Sequence, residues 1–183
     1  MPEEQPTVVA VHRHGEHRFS KQTVDAIVLV EGRGVEGDAH AGPTVQHLSR
    51  VRRDPDQPNL RQVHLLHAEL LDRVTDLGYD VRPGALGENV TTGGLDLLAL
   101  PTGSLLHLGE DAVVELTGLR NPCVQIDRYR RGLLKEVLRT ADDGTVERLA
   151  GVMGVVRHSG VVHAGDPVAV ELPALPHTGL EPV

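Results

Sequence analysis

Short runs of β-branched and aliphatic residues, each closed off by glycine, proline or a charged turn, constrain this chain more than any other feature. Residues 7–11, 23–30, 62–66, 104–108, 112–117, 149–158 and 167–172 are mostly too brief for helices and suit pleated, half-buried strands. Gly109-Glu110-Asp111 is a natural hairpin connection between two of them, and Gly151 with Gly154 predicts a bend or bulge in another. Two stretches carry helical spacing instead. Leu70, Leu71, Val74 and Leu77 form one stripe that Gly78 terminates, and Leu133, Leu134, Val137 and Leu138 form a second within 125–139. The expected fold is mostly β (α+β), with about seven strands and two or three peripheral helices in a single domain over residues 7–172. Residues 1–6 are expected to be flexible, and the Pro-rich residues 173–183 disordered.

The only cysteine is Cys123, in the run Leu-Arg-Asn-Pro-Cys-Val-Gln. Asn121 is a good helix N-cap and Pro122 suits a first helical position, so the sequence predicts a helix whose first turn holds Cys123. The free N–H groups of such a turn and the Arg120 charge would both favour a thiolate, the nucleophilic and metal-ligating form. A small buried hydrophobe is the alternative reading of a free cysteine.

Composition narrows the partners. Phe19, Tyr79 and Tyr129 are the only aromatic residues, which removes the stacking platforms of single-strand nucleic acid binders. With 26 acidic against 18 basic residues the formal charge is −8, which opposes a phosphate backbone, so no nucleic acid partner is expected. No basic, apolar leader and no membrane-length apolar run is visible, so a cytoplasmic protein without a membrane partner is expected.

Four further clusters call for a chemical reading. Gly32–Gly42 is a glycine-rich loop holding Gly37, Asp38 and His40; on its residues alone it is a surface loop, though its backbone N–H groups could wrap a polar ligand. His12, His14 and His17 read as a solvated loop rather than a metal site, and His64 with His67 lacks the further ligands zinc requires. Arg50, Arg52, Arg53 and Arg61 lie on an exposed excursion over residues 49–61; such arginines are usually solvated, although a phosphate-bearing cofactor could recruit one or two.

Taken together, Gly87-Glu88-Asn89, the hairpin at 101–109, Arg120-Asn-Pro-Cys123, the loop Gly34–Gly42 and the closing hairpin at 159–168 occur in an order that resembles the MOSC domains, of the stand-alone bacterial type. The resemblance spans residues 7–172. It implies a closed, Greek-key-like β-barrel that handles the molybdenum cofactor (molybdopterin) or activated sulfur. Cys123 would then ligate molybdenum or carry a persulfide, and Gly37, Asp38, His40, Glu88, Asn89, Arg120 and Asn121 would bind the cofactor. Some relatives reduce N-hydroxylated bases, so the favoured expectation is a cofactor-dependent oxidoreductase acting on a small-molecule substrate with a redox partner protein. Sulfur transfer from a donor protein and a non-catalytic cofactor-binding module are the alternatives. Two positions depart from the family pattern: Ala39 stands where an arginine is frequent, removing a phosphate clamp, and Val124 stands where an aromatic is frequent. Pyridoxal phosphate is not expected, because it needs a Schiff-base lysine and the chain has only Lys21 and Lys135.

Overall fold

Alternation of buried and exposed side chains builds the strands of this computed structural model, which describes residues 5–183. The chain runs β1 (Thr7–Arg13), β2 (Gln22–Val24), β3 (Ala26–Val30), β4 (Gly34–Val35), α1 (Leu48–Arg53), β5 (Val63–His67), α2 (Ala68–Asp76) and β6 (Val90–Gly93). It continues through β7 (Leu105–Leu108), β8 (Ala112–Leu119), α3 (Gln125–Tyr129), α4 (Leu134–Val137), β9 (Leu138–Thr140), β10 (Val146–Arg148), β11 (Val152–His158), β12 (Gly160–His163) and β13 (Val168–Glu171). In β8, for example, Ala112, Val114 and Leu116 point inward while the residues between them are half-exposed.

The architecture is mostly β with few helices, but the expected barrel does not close. Eight strands form one open sheet in the order β13-β7-β8-β11-β5-β6-β1-β2, and β12-β3-β4 form a separate three-stranded sheet. The reason lies in the pairing: β12 joins β3 through Gly160–Leu29 to His163–Ala26 instead of bridging the large sheet's edges. Where β1 approaches the start of β13, the contact is an isolated bridge, Thr7 to Pro167, with the Val8 N–H bond to Asp166 O (2.8 Å), the Gly165 N–H bond to Val8 O (2.7 Å) and the Val168 N–H bond to Pro6 O (2.8 Å), and no strand ladder continues from it.

The first core lies between the sheets and includes Val11, Ile27, Leu29, Leu65, Leu106 and Val114; the second, under α2, gathers Leu66, Leu70, Val74, Leu86, Ile126 and Leu133. β5 feeds both, since Leu65 and Leu66 point to opposite faces. On α2, Leu70, Leu71 and Val74 are buried as the helical spacing requires, each contributing about 2 kcal/mol. Among the described residues no helix is long and apolar enough to cross a membrane.

Three local expectations need correction. The stretch 125–139 is not one helix: Gly132 at φ +88° separates α3 from α4, and Leu138–Thr140 leaves the helix to pair with β10. His12 is not solvated; it is fully buried, bonded to Thr23 Oγ1 and Thr91 Oγ1 at 3.0 Å each. Residues 173–183 are not a disordered tail but return along β8, where Leu119 N–H donates to Glu181 O (2.8 Å) and Leu180 packs on the first core. Gly118 makes room for them, because a Cβ there would lie 2.3 Å from Glu181 O. Residues 1–4 of the expected flexible N-terminus lie outside the described residues.

Candidate functional site

A cavity of about 680 Å³ opens where the end of β5, the 86–89 segment and residues 120–125 meet the excursion that carries α1. Strand alternation that sends Leu65 into the first core turns His64 toward this cavity. His64 N–H donates to Asn89 Oδ1 (3.1 Å), and its Nε2 lies 2.8 Å from Ala150 O, so that nitrogen carries the proton. Gly151 permits this approach, since a Cβ there would lie 2.8 Å from His64 Nε2. Burial, followed by the Arg120 charge, holds His64 well below its ordinary pKa.

β8 delivers Arg120-Asn121-Pro122-Cys123 to the cavity wall. The cap read from the sequence is absent. α3 begins at Gln125 with Val124 at the cap position and no side-chain cap bond, while the exposed Asn121 accepts a bond from Arg148 Nε (3.1 Å). Burial of Ile126 in the second core fixes the start of this helix, leaving Cys123 in the turn before it, where its carbonyl accepts from Ile126 N–H (3.0 Å). Cys123 is exposed, and Gln125 Oε1, at 3.7 Å, is its one side-chain contact of hydrogen-bond type. That exposure excludes the reading of Cys123 as a core residue. Arg120, by contrast, is buried; its guanidinium donates to Leu86 O and lies 5.7 Å from the Phe19 ring centroid. Burial pushes its pKa down, while Cys123 and then Glu88 act to raise it.

Of the residues expected to bind a cofactor, His40, Asn89, Arg120 and Asn121 line the cavity with Cys123. Gly37, Asp38 and Glu88 do not. Gly37 instead faces a small depression beside Val30 and Arg33. Asp38 is the buried hub behind the wall: Lys21 Nζ lies 3.0 and 2.9 Å from its two oxygens, and the N–H groups of His40 (2.9 Å) and His14 (3.2 Å) and Asn89 Nδ2 (3.2 Å) donate to it. Burial pushes the Asp38 carboxyl up, but its contacts with His40 and the Lys21 charge outweigh this and hold it far below the usual range. Glu88 Oε1 accepts from Gly84 N–H (2.6 Å) and Thr91 Oγ1 (3.1 Å), while its other oxygen has no protein partner. It therefore fixes the 84–88 turn, whose Leu86 carbonyl receives Arg120.

Sequence reasoning underrated the arginines. Among the described residues the wall carries six arginines, Lys21 and three histidines, yet no aspartate or glutamate, although acidic residues outnumber basic ones 26 to 18 in the chain. Arg50, Arg53, Arg61 and Arg128 have no side-chain hydrogen bond or ion pair among the described residues. Arg61 is pushed down to about 10, first by burial and then by the like charges of Arg50 and Arg120, with Cys123 acting to raise it. His40 lies with its ring centroid 5.3 Å from His17 and 6.4 Å from His47. Burial first lowers both His40 and His47, and neighbouring cations, Lys21 for His40 and Arg61 for His47, lower them further. The clustering of arginines at 50–61 was the available signal; its missing carboxylate partners could be seen only once the wall was assembled.

Among the described residues no group of three or more His, Cys, Asp or Glu is arranged to hold a metal ion. With one accessible thiol and many cationic N–H donors, the lining suits an anionic, phosphate-bearing ligand. Lys21 is clamped by Asp38, and Lys135 is exposed beside Glu136.

The family model described as the MOSC domain matches residues 36–169. No curated protein sequence matches. Among solved structures, the YuaD protein from Bacillus subtilis is similar at a TM-score of 0.76 and 21% identity, covering 93% of this chain and 97% of that one. YiiM from Geobacillus stearothermophilus is similar at 0.64 and 16% identity, over 95% and 79% of the two chains. YiiM from Escherichia coli is similar at 0.57 and 22% identity, over 93% and 72%. These likenesses concern the fold.

Proposed function

Because the chain belongs to the MOSC domain family, which is associated with the molybdenum cofactor, we propose that its cavity binds that cofactor with Cys123 as the molybdenum ligand. One observation carries the reading: an exposed thiol stands in a cavity lined by cations and free of carboxylates, within a chain that is acidic overall. A carboxylate-free wall spares a bound anion like-charge repulsion, and a soft sulfur ligand suits the metal. The half-buried Arg61 and Arg50 supply the phosphate contacts that Ala39 cannot.

When bound, the cofactor would supply a two-electron metal centre, suited to reducing an N-hydroxylated compound to the amine and water. The electrons would come from a redox partner protein. The chain's own residues bind, orient and shield. Arg120, anchored on Leu86 O, holds a fixed positive charge near Cys123. Asn89 ties His64 N–H, His12 O and Asp38 together, so the wall keeps one shape. Burial first holds His40 and His47 low, and a bound anion would raise them, letting them take up protons beside the site.

A second reading, sulfur carriage as a persulfide, is favoured by the exposure of Cys123, which leaves its thiolate free to attack the outer sulfur of a donor protein's persulfide, the donor thiolate leaving. The test is expression in hosts that make and lack the molybdenum cofactor, with molybdenum and released pterin measured for wild type and Cys123→Ala. Molybdenum should be retained by the wild type from the competent host and fall at least about tenfold in the variant. Equal metal in both proteins would sink the ligand assignment, and persulfide sulfur lost in Cys123→Ala without any molybdenum would establish the carrier. Bound cofactor without reduction of any N-hydroxylated compound would mark a binding module.

A further inference from the structure

The cationic wall exceeds what one phosphate requires. Arg61 and Arg50 are half-buried and repel one another with no acceptor between them, which a single phosphate group would relieve. Beyond this pair, Arg53 lies one helical turn from Arg50 on α1, and Arg128 projects from α3, the helix that follows Cys123. Both line the cavity without a protein acceptor, whereas Arg52, on α1 between Arg50 and Arg53, does not line it. Nor is any of these charges offset by a carboxylate on the wall.

We propose that the cavity takes two phosphate-type groups at once, one on Arg50 and Arg61 and a second on Arg53 and Arg128. A phosphate monoester carries up to two negative charges, so one group leaves a pair of the four free guanidiniums unmatched, and a second phosphate-type group, separate or joined as a diphosphate, supplies charge and acceptor oxygens to that pair. The second group belongs either to a substrate that is itself phosphorylated or to a cofactor that bears a diphosphate. Only this choice of source rests on the cofactor reading above; the anion sites themselves do not.

The experiment is calorimetric titration of the cofactor-free protein with inorganic phosphate and inorganic diphosphate at low salt, using wild type, Arg53→Gln/Arg128→Gln and Arg50→Gln. Wild type should bind diphosphate at least about tenfold more tightly than phosphate, and the double variant should lose that preference while still binding phosphate. Arg50→Gln should weaken phosphate itself. Arg53 and Arg128 are exposed, so folding is not at stake in the double variant. No preference for diphosphate in wild type, or an undiminished one in the double variant, overturns the proposal.

Cofactor-loaded protein then separates the sources. Released pterin with one phosphate, together with further phosphate binding that the double variant loses, assigns the second group to the substrate. Pterin bearing a diphosphate, with no further phosphate bound, assigns it to the cofactor. One phosphate on the pterin and no further binding overturns the proposal. Molybdenum loss in Cys123→Ala is read separately, so the two readings fail independently.

Discussion

Asp38 and the arginine wall handle charge in opposite ways, although His40 and Lys21 touch both. Around Asp38 every formal charge is answered from within: Lys21 pairs with it, and backbone and Asn89 N–H groups fill its remaining acceptor positions. Along the wall, Arg50, Arg53, Arg61 and Arg128 are answered by no side chain among the described residues. A charge satisfied internally maintains the frame, and a charge left unsatisfied in a cavity is stabilised by what binds there. The comparison separates residues that make the site from residues that use it.

Breaking the satisfied side should have the largest effect. Asp38→Asn leaves the Lys21 ammonium buried without its counter-charge, which typically costs about 3–5 kcal/mol. Denaturant unfolding of the cofactor-free protein measures it. A loss below about 1 kcal/mol would show that Asp38 serves the ligand rather than the frame. The expected result reverses the sequence reading of Asp38 as a cofactor contact.

Acid probes the same frame through His12, which burial, followed by the Lys21 charge, lowers from 6.5 to about 4. The folded protein holds His12 neutral, so the unfolded chain binds the extra proton. Its contribution to stability is therefore complete above pH 6.5, falls as the pH drops from 6.5 toward about 4, and changes no further below that. A shift of this size corresponds to roughly 3 kcal/mol. His64, His40, His47 and His67 are lowered too and add with the same sign. Asp38, held low, adds a further loss only at more acidic pH. Stability measured by urea titration at steps between pH 7 and 4 should decline throughout; a flat profile would contradict the buried neutral histidines.

The unsatisfied side should respond with the opposite sign. Arg61→Gln removes a cation that Arg50 and Arg120 repel, so the cofactor-free protein should keep its stability or gain up to about 1 kcal/mol. Cofactor content should fall in the same variant. If Arg61→Gln unfolds the protein, the wall is structural and the contrast with Asp38 disappears.

Much of this was legible in the sequence, and the remainder depended on distant partners. The hairpin of β7 and β8 and the buried Leu70, Leu71 and Val74 of α2 follow from local pattern, and the structure keeps them. Barrel closure depended on whether β12 paired with β3, a choice between segments about 130 residues apart that no local pattern encodes. His12 looked solvated because its partners, Thr23 and Thr91, come from β2 and β6. His40, Asn89, Arg120 and Cys123 do meet at one cavity, but the division of labour between Asp38 and the arginines required knowing which side chains face it.

The smallest expected effect tests the helix cap, a further local inference that the structure overturned. Asn121 followed by Pro122 has the form of a helix cap, and a true cap replaced by alanine costs about 1 kcal/mol. Here the cap position is Val124, and among the described residues the exposed Asn121 side chain accepts from Arg148 Nε, a bond open to solvent. Asn121→Ala should therefore change stability by less than about 0.5 kcal/mol. It should also leave the rate of Cys123 alkylation in the cofactor-free protein unaltered, because no helix end positioned by Asn121 acts on that sulfur. Arg120→Gln, which removes a buried charge anchored on Leu86 O, should alter both. A loss near 1 kcal/mol in Asn121→Ala would restore the cap and place Cys123 in the first turn of a helix after all. Equal behaviour of the two variants would mean that the charge around Cys123 does not come from Arg120.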